Sequence, residues 1–561
     1  MDTFFFKRIK TIAWVIILSG VAFMPLAFTQ QESSYFEISK NLDIFATLFK
    51  ELNTYYVDEV QPSELMRKGI DGMLESLDPY TNYISEAEIE DYRLQTTGKY
   101  GGIGAVIRRN GDSVFVAELY ETYAADKAGL KVGDKILEID GNSANTKDTE
   151  EISKLLKGQA GTTVKLKIAR LLSDGSERIS DLVVTREDIK IKNVPYFGMV
   201  NDHIAYIRLS NFTENAGKEV KDALEELKSQ HDVKGVILDV RGNPGGLLNE
   251  AVNIVNVFVP KGQEVVFTKG KVKEWDKPFK TLNAPVDISV SLVVLTDRGS
   301  ASASEIVSGA LQDLDRAVII GQKTFGKGLV QTTRSLTYNT KLKVTTAKYY
   351  IPSGRCIQAI NYAERLEDGS VGKIPDSLKT AFKTSTGRVV YDGGGIDPDI
   401  SIEPEKLSKV AISLLTKNLI FNYATVYQSK HQSIADAKSF SLTDQEYQEF
   451  INYLKGKDYD YTTESEELID DLQKTVESEK YMAAIKTDLE NLKKNIKHDK
   501  EKDIIKHKAE IKKLLEEEII GRYYYTSGKI RSSFNIDEDL RSAIDVLSNK
   551  EKYTSLLIPT R

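Results

Sequence analysis

The chain contains 561 residues with 76 basic and 83 acidic side chains, which gives a formal net charge of −7 at pH 7. A chain of this length is expected to fold into about three or four domains. The mixed charges give no signature of nucleic-acid binding. The single cysteine, Cys356, excludes an intramolecular disulfide and gives no indication of a redox role.

The N-terminal segment has the order of a targeting sequence. Lys7, Arg8 and Lys10 precede an apolar run over residues 12–28, and basic residues followed by apolar ones are typical of a secretory signal or a short membrane anchor. No good cleavage site of small residues follows, so we retain an uncleaved membrane anchor as the second interpretation. We predict a signal peptide or an N-terminal membrane anchor at residues 1–30.

Apolar residues recur at helical spacing from residue 35 to residue 95, as at Ile38, Leu42, Phe45 and Leu48. This spacing predicts an N-terminal helical region over residues 31–97. We interpret the region as a packing or dimerisation arm.

Two glycine-containing segments follow. The first contains Gly102-Ile103-Gly104, and the second reads Ala-Gly-Leu-Lys-Val-Gly-Asp-Lys-Ile-Leu-Glu-Ile-Asp-Gly over residues 128–141. Together they resemble a PDZ domain, which we place at residues 98–188. The resemblance implies that Gly102, Ile103 and Gly104 bind a peptide carboxylate through their amides, while the peptide pairs with a strand edge. Ile103 and Val106 would form an apolar lining. Alternatively, the PDZ domain gates access to a site without gripping the substrate.

From about residue 196 the pattern changes to short apolar strands that alternate with helices. This alternation is typical of βαβ units and predicts an α/β core. The predicted strands and helices are, in chain order, the strand 205–209, the helix 218–227, the strand 235–240, the helix 247–258, the strand 291–296 and the helix 305–314.

A serine lies at one of the predicted turns from strand to helix. Ser302 follows the strand 291–296 and precedes the helix that begins at Glu305. The free amides of a helix N-terminus at such a turn can stabilise an oxyanion. Ser302-x-x-Glu305 is also a capping box, in which the serine only satisfies a backbone amide. The segment alone leaves both interpretations open.

A lysine lies among glycines and apolar residues 25 positions later (327 − 302). Burial of Lys327 would lower the pKa of its ammonium group from the usual value of about 10.4. A neutral amine can take a proton from a serine hydroxyl. Lys327 is therefore a candidate base for Ser302.

The histidines offer no alternative base. The sequence contains no Gly-x-Ser-x-Gly motif, no His-Glu-x-x-His motif and no paired-cysteine spacing, so we predict neither a Ser-His-Asp triad nor a metal site. The five histidines are His203, His231, His431, His498 and His507.

The segments around Ser302 and Lys327 resemble the carboxyl-terminal processing (tail-specific) serine peptidases. The resemblance implies that Ser302 is the nucleophile, that Lys327 is the base and that Gln331 orients the lysine. Residues 239–248, Asp-Val-Arg-Gly-Asn-Pro-Gly-Gly-Leu-Leu, resemble the oxyanion-hole motif of that family. The oxyanion hole would then be formed by Gly245 or Gly246 with the amide of Ala303.

The resemblance implies a multidomain α/β protein with a PDZ domain before a crotonase-like serine protease core at residues 189–405. Residues 406–561 are charged and periodic, and we expect a helical extension that serves oligomerisation or substrate access. No cofactor is expected. The implied function is an endopeptidase that recognises the C-terminal tails of proteins in the bacterial cell envelope, on the periplasmic side, for processing or quality control. A catalytically silent PDZ scaffold is the alternative.

Overall fold

The computed structural model describes residues 35–365, 371–496 and 499–559, so the predicted signal or anchor at residues 1–30 lies outside the described residues. The chain divides into two units, which meet between Tyr83 and Ile84. The first unit contains two helices, α1 at residues 35–55 and α2 (Pro62–Glu75). A short strand, β1 (Asn82–Ile84), spans the junction. None of the described helices combines the length and apolarity needed to cross a membrane.

The expected PDZ segment forms a sheet of antiparallel strands that follows helix α3 (Ile89–Thr97). Its sheet has the order β3-β4-β5-β7-β8, β6 pairs with β5, and β2 pairs with β9. The free edge of β3 lies beside helix α5. The elements are β2 (Lys99–Gly102), β3 (Ala105–Asn110), β4 (Ser113–Leu119), α4 (Ala124–Lys127), β5 (Lys135–Ile139), β6 (Asn142–Ser143), α5 (Thr149–Leu156), β7 (Thr163–Leu171), β8 (Glu177–Thr185) and β9 (Glu187–Lys190).

The six strands and helices predicted between residues 205 and 314 are confirmed, each to within a few residues at its ends. Alternating strands and helices run through the core. The elements are β10 (Tyr196–Met199), β11 (Ile204–Arg208), α6 (Ala216–Gln230), β12 (Gly235–Asp239), α7 (Leu248–Phe258), β13 (Glu264–Gly270), β14 (Lys277–Lys280), β15 (Ser291–Thr296), α8 (Ala303–Asp313), β16 (Val318–Gly321), β17 (Leu329–Ser335), β18 (Lys341–Tyr350), β19 (Ile360–Arg365), β20 (Val371–Lys373), β21 (Ala381–Lys383), β22 (Val389–Tyr391) and β23 (Ile400–Ser401).

The central sheet has the strand order β10-β11-β12-β15-β16-β23, and all its pairs except β10 with β11 are parallel. Strands buried on both faces are typically rich in β-branched residues and leucine. This composition explains why the strands of the central sheet could be recognised in the sequence. In a second sheet, β13 pairs with β14 and β18, and β18 pairs with β17. The remaining pairs are β19 with β20 and β21 with β22.

The C-terminal region is helical, as expected. The described residues between Glu464 and Ser533 form four separate helices. The helices are α9 (Lys409–Thr416), α10 (Leu419–Lys430), α11 (Asp444–Leu454), α12 (Glu464–Ser478), α13 (Met482–Ile496), α14 (Lys500–Lys506), α15 (Lys508–Ser533), α16 (Glu538–Ser548) and α17 (Lys550–Leu556).

Helices cover both faces of the central sheet, but they come from different parts of the chain. Residues of α6, α7 and α8 form a buried cluster with one face. On the other face, Leu540, Ala543 and Val546 of α16 and Tyr553 of α17 pack against side chains of β11, β12, β15 and β16. The end of the C-terminal region therefore completes the core, although the predicted boundary at residue 405 separates the two in sequence.

Candidate active site

The candidate nucleophile, the candidate base and the two oxyanion-hole glycines lie on three loops that follow neighbouring parallel strands. One loop follows β12 and carries Gly245 and Gly246, the next follows β15 and carries Ser302, and the third follows β16 and carries Lys327. The carboxyl ends of parallel strands lie at the same edge of a sheet, where ligands bind in α/β proteins. The strand order β12-β15-β16 therefore places these loops side by side.

Ser302 has a strained backbone at the turn into α8. Its φ is +55° and its ψ is −112°, a left-handed region that non-glycine residues rarely adopt. The expected capping box of Ser302 and Glu305 is present, and in it the amide of Ser302 donates to Glu305 Oε2 at 2.8 Å. The amide of Glu305 donates to the carbonyl of Ser302 at 2.9 Å. Capping thus accounts for the contacts of Glu305 but not for the positive φ of Ser302.

Hydrogen bonds join the loop after β12 to the loop after β15. The amide of Ala301 and the hydroxyl of Ser304 both donate to the carbonyl of Asn243, at 3.0 Å and 2.8 Å. The hydroxyl of Ser300 donates to the carbonyl of Val240 at 2.9 Å. The glycine motif and the serine turn therefore form one rigid structure.

Gly245 lies directly against the serine turn. A Cβ atom at Gly245, whose φ is +95°, would lie 2.7 Å from Ala303 N and 2.9 Å from Ser302 Cβ, so only glycine fits. The amide of Gly245 donates to Asn243 Oδ1 at 2.9 Å. By contrast, the amides of Gly246 and Ala303 donate to no acceptor among the described residues. Ala303 is the first residue of α8, where a helix leaves its amides free.

Glu305 links the serine turn to the lysine loop. Its carboxylate accepts hydrogen bonds from the amides of Ser302, Gly326 and Lys327 at 2.8, 2.7 and 2.9 Å, and from the hydroxyl of Thr324 at 2.6 Å. Glu305 is fully buried. Burial disfavours the charged form and outweighs these hydrogen bonds, which raises the pKa of Glu305 to about 7.

The two glycines that flank Lys327 have different roles. Gly326 has a φ of +92°, whereas Gly328 has no positive φ. A Cβ atom at Gly328 would lie 2.8 Å from the backbone nitrogen of Gln358. The amide of Gly328 also donates to Gln358 Oε1 at 2.7 Å. Gly328 therefore permits a close approach that holds the far side of the lysine loop.

Tyr349 forms a second link between the serine and the lysine, which the sequence did not indicate. Its hydroxyl lies 2.5 Å from the carbonyl oxygen of Lys327 and 3.2 Å from that of Ser302. The side chain lies on β18 and is buried. In the sequence, an aromatic residue within a predicted strand indicates only a residue of the hydrophobic core. The contact with the two carbonyl groups is visible only in the folded structure.

A cavity of about 810 Å³ opens at these loops. Its lining includes every predicted catalytic and oxyanion residue, namely Ser302, Lys327, Gln331, Gly245, Gly246 and Ala303. Gln331 donates through Nε2 to Thr345 Oγ1 at 3.2 Å, which fixes the amide of Gln331 at the cavity wall. Lys343 also lines the cavity, and burial lowers its pKa. The sequence analysis missed Lys343.

The predicted carboxylate-binding loop, Gly102 to Gly104, lies in the PDZ segment before β3. The amides of Ile103 and Gly104 donate to no acceptor within the described part of the chain. The side chain of Ile103 is 2% exposed and belongs to the PDZ core, whereas Val106 is 38% exposed. Of the two side chains expected to form the lining, only Val106 is accessible.

The histidines lie away from this cavity. Neither His203 nor His231 is among its lining residues, and the side chain of His203 is 53% exposed beside Asp232. No group of three or more potential metal ligands occurs within residues 35–365, 371–496 and 499–559.

Comparisons with known proteins match three segments of the chain. Residues 203–364 match peptidase family S41, residues 115–170 match a PDZ domain, and residues 410–547 match the C-terminal helical domain of probable PDZ-proteases.

Two curated relatives are similar over much of their length. A carboxy-terminal-processing protease of Bartonella bacilliformis is 36% identical over 63% of this chain and 80% of its own. A probable CtpA-like serine protease of Staphylococcus aureus is 34% identical over 62% of this chain and 69% of its own. Among solved structures, the photosystem II D1 C-terminal processing protease is 26% identical over 65% of this chain and 93% of its own, with a TM-score of 0.35.

The fold and these comparisons define the class of protein, which is a serine-type peptidase with a PDZ domain before the catalytic core. The chain belongs to the carboxy-terminal-processing proteases of peptidase family S41.

Proposed function

We propose that this peptidase is an endopeptidase that uses a dyad of Ser302 and Lys327 and recognises its substrates by their C-terminal tails. The observation that carries the proposal is the pair of hydrogen bonds by which one buried carboxylate, Glu305, holds the amides of Ser302 and Lys327 at 2.8 and 2.9 Å. A structural serine at a helix start would need no such link to a lysine 25 positions away.

In the acylation step, Ser302 Oγ attacks the carbonyl carbon of the scissile peptide bond while Lys327 Nζ takes the hydroxyl proton. The oxyanion of the tetrahedral intermediate accepts hydrogen bonds from two backbone amides. The free amides of Gly246 and Ala303 suit this role better than the amide of Gly245, which donates to Asn243. The intermediate collapses when the C–N bond breaks, and Lys327 donates its proton to the leaving amine.

Deacylation repeats these steps with water. Neutral Lys327 takes a proton from a water molecule, which attacks the ester carbonyl of the acyl-enzyme. The C–Oγ bond then breaks and the proton returns to Ser302. Gln331 borders the cavity with its amide held by Thr345, so it can orient the lysine amine.

Tail recognition is proposed for the edge of β3. A peptide can add to this free edge as an extra strand, with its terminal carboxylate at the amides of Ile103 and Gly104. The accessible side chain of Val106 favours an apolar residue near the peptide terminus. Gly102 would shape the loop, because a Cβ atom there would lie 2.6 Å from the ring of Tyr100.

We place the protein in the bacterial cell envelope, on the periplasmic side, with processing or quality control of envelope proteins as its task. The basic and then apolar residues at positions 7–28 support this location. Membrane attachment through this segment, if it is uncleaved, and assembly into a homo-oligomer belong to the same proposal.

The proposal is tested by turnover of an unstructured protein that ends in either an apolar or a charged tail. We expect wild type to prefer the apolar tail, Ser302→Ala and Lys327→Ala to lose turnover, and His203→Ala to retain it. Because the base must be a neutral amine, turnover should rise toward alkaline pH. Tail binding by wild type without cleavage would favour the PDZ scaffold instead, and loss of turnover in folded His203→Ala would argue against the dyad.

A further inference from the structure

A cluster of charged side chains lies behind the glycine motif, where the C-terminal helices meet the central sheet. Arg241 is the second residue after the end of β12. Its guanidinium group forms ion pairs with three carboxylates. Its Nη2 lies 2.6 Å from Asp239 Oδ2 and 2.7 Å from Asp537 Oδ2, and its Nη1 lies 2.9 Å from Asp539 Oδ2. Asp537 and Asp539 are almost 300 positions away in sequence and belong to the start of α16.

Asp239 alone cannot offset the charges of the two arginines in this cluster, and the C-terminal carboxylates of Asp537 and Asp539 supply the remaining negative charge. Asp239 is completely buried and already bonds Arg208, whose Nη1 lies 2.7 Å from Asp239 Oδ1. Burial opposes ionisation of Asp239, but the two arginines outweigh it and lower its pKa. Without Asp537 and Asp539, two arginines whose side chains are only 23% and 18% exposed would share one carboxylate. An uncompensated buried charge of this kind strongly destabilises its surroundings.

Arg241 is directly connected to the loop that would bind the oxyanion. Arg208 Nη2 donates to the carbonyl of Arg241 at 2.6 Å, and the amide of the next residue, Gly242, donates to Asp297 Oδ1 at 2.7 Å. Asp297 Oδ1 also accepts from the amide of Ser300 at 3.0 Å, within the serine turn. A displacement of Arg241 would therefore change both the glycine motif and the turn that carries Ser302.

The two carboxylates are themselves well anchored. Asp537 is the N-cap of α16, where its Oδ1 accepts from the amide of Leu540 at 3.0 Å. Leu540, Ala543 and Val546 of the same helix are buried against the sheet. Since α16 is fixed to β15 and its neighbours, Asp537 and Asp539 hold Arg241 from a rigid support.

From these contacts we infer that Asp537 and Asp539 are positioning residues for catalysis, which act through Arg241 to hold the oxyanion-binding loop in its productive conformation. The inference rests on the proposed function in one respect, namely the role of the Gly246 amide. It makes the C-terminal helical domain a part of the catalytic apparatus, in addition to any role in assembly. It also gives a role to Asp539, which the N-cap of the helix does not require.

The test compares the full chain with the double variant Asp537→Asn and Asp539→Asn, which keeps the size of both side chains. We expect kcat to fall by about tenfold or more, because a misplaced oxyanion donor costs that much or more in rate, while KM changes little. A peptide aldehyde, which forms an oxyanion on the serine, should bind correspondingly more weakly. Asp545→Asn is the matched control, since Asp545 lies on the same helix with its side chain 67% exposed.

Folding is monitored for every variant by thermal unfolding. If the double variant does not fold, Asp539→Asn replaces it, because this change removes one contact to Arg241 and leaves the N-cap intact. Asp539→Glu keeps the charge and should recover part of the lost kcat. An unchanged kcat in a folded variant, or a change in KM alone, would overturn the inference. Full activity of Ser302→Ala would instead overturn the proposed function, whatever the aspartate variants do.

Discussion

Two buried side chains, Glu305 and Tyr349, hold the backbones of Ser302 and Lys327 from opposite sides. Glu305 accepts hydrogen bonds from both amides, and the hydroxyl of Tyr349 contacts both carbonyls. The separation of the proposed nucleophile and base is thus set by two buried side chains, of which Tyr349 also lines the cavity. Their removal should affect rate more than substrate binding.

Tyr349→Phe tests this support with the loss of a single oxygen. The two carbonyls lose their shared partner, which should lower the free energy of unfolding by about 1 to 3 kcal/mol, and kcat should fall because the serine and lysine loops move apart. Steady-state kinetics and denaturant unfolding measure the two effects. Tyr350→Phe, on the same strand without a contact to either carbonyl, is the control. A folded Tyr349→Phe variant with the kcat of wild type would contradict the interpretation.

Glu305→Gln tests the elevated pKa through the pH dependence of stability. Glu305 titrates near pH 7 in the folded chain but near its ordinary value of about 4.3 when unfolded. Between these values the folded state binds more protons than the unfolded state, so the free energy of unfolding falls as pH rises. The stability difference between wild type and variant should change by about 4 kcal/mol across this window.

Denaturant unfolding at a series of pH values between 4 and 8 measures this difference. Glu150→Gln, an exposed residue of α5, should give a curve parallel to that of wild type. Parallel curves for Glu305→Gln as well would show that Glu305 ionises at the same pH in both states.

At the scale of single residues, the sequence identified the candidate site residues but not the contacts between them. Ser302, Lys327 and Glu305 were each singled out, since a turn, a glycine-flanked lysine and a capping box are local signals. The bond from Glu305 to the amide of Lys327 was not predictable, because it joins residues 22 positions apart whose meeting depends on strand order. The contact of Tyr349 left no local signal at all.

At the scale of elements, the three loops after β12, β15 and β16 show what a pattern can and cannot predict. The strands were predictable because runs such as Val293-Val294-Leu295 are rich in the residues that buried parallel strands prefer. It was not predictable which of these strands lie next to each other. The strands β13, β14, β17 and β18 of the second sheet lie between strands of the central sheet in sequence, so sequence order does not give the order within the sheet.

The loop before β3 carries a prediction about tail recognition. In Gly104→Ala, a Cβ atom would lie 2.7 Å from Tyr123 Cβ at a φ of +77°, so the proposed carboxylate-binding loop should be displaced. Binding of an apolar tail peptide should weaken at least tenfold, while turnover of a short peptide that does not reach the PDZ domain is retained. Isothermal titration calorimetry measures the binding.

Gly111→Ala is the matched control for this experiment. Gly111 also has a positive φ, at +58°, but a Cβ atom there would meet nothing within 4 Å. Both changes therefore carry backbone strain, and only Gly104→Ala displaces the loop. Equal tail binding by wild type and Gly104→Ala would place recognition elsewhere.

At the scale of the whole molecule, the C-terminal helices α16 and α17 form one layer of the catalytic core. They cover buried residues of β11, β12, β15 and β16. The sequence predicted helices here, but the partner of an amphipathic helix is not encoded in its periodicity. For this reason residues 406–561 were expected to be an extension, whereas their last part is integral to the core.

A chain that ends at residue 405 should therefore be insoluble, because it exposes a large apolar face of the central sheet. Removal of residues 464–496 in favour of a short glycine-serine linker is the control, since this deletes α12 and α13, whose only buried residues are Ile469, Val476 and Leu489. Size-exclusion chromatography and circular dichroism measure both outcomes. A soluble, folded chain ending at residue 405 would show that α16 is dispensable for the core.

The position of α16 and α17 also has a consequence for the order of synthesis. A chain is made from its N-terminus, and these helices leave the ribosome after every other helix and strand of the described chain. Until then the central sheet lacks one covering layer and Arg241 lacks two of its three carboxylates. If Asp537 and Asp539 position the glycine motif as inferred above, a nascent chain in which α16 is not yet made should cleave substrate more slowly than the folded protein.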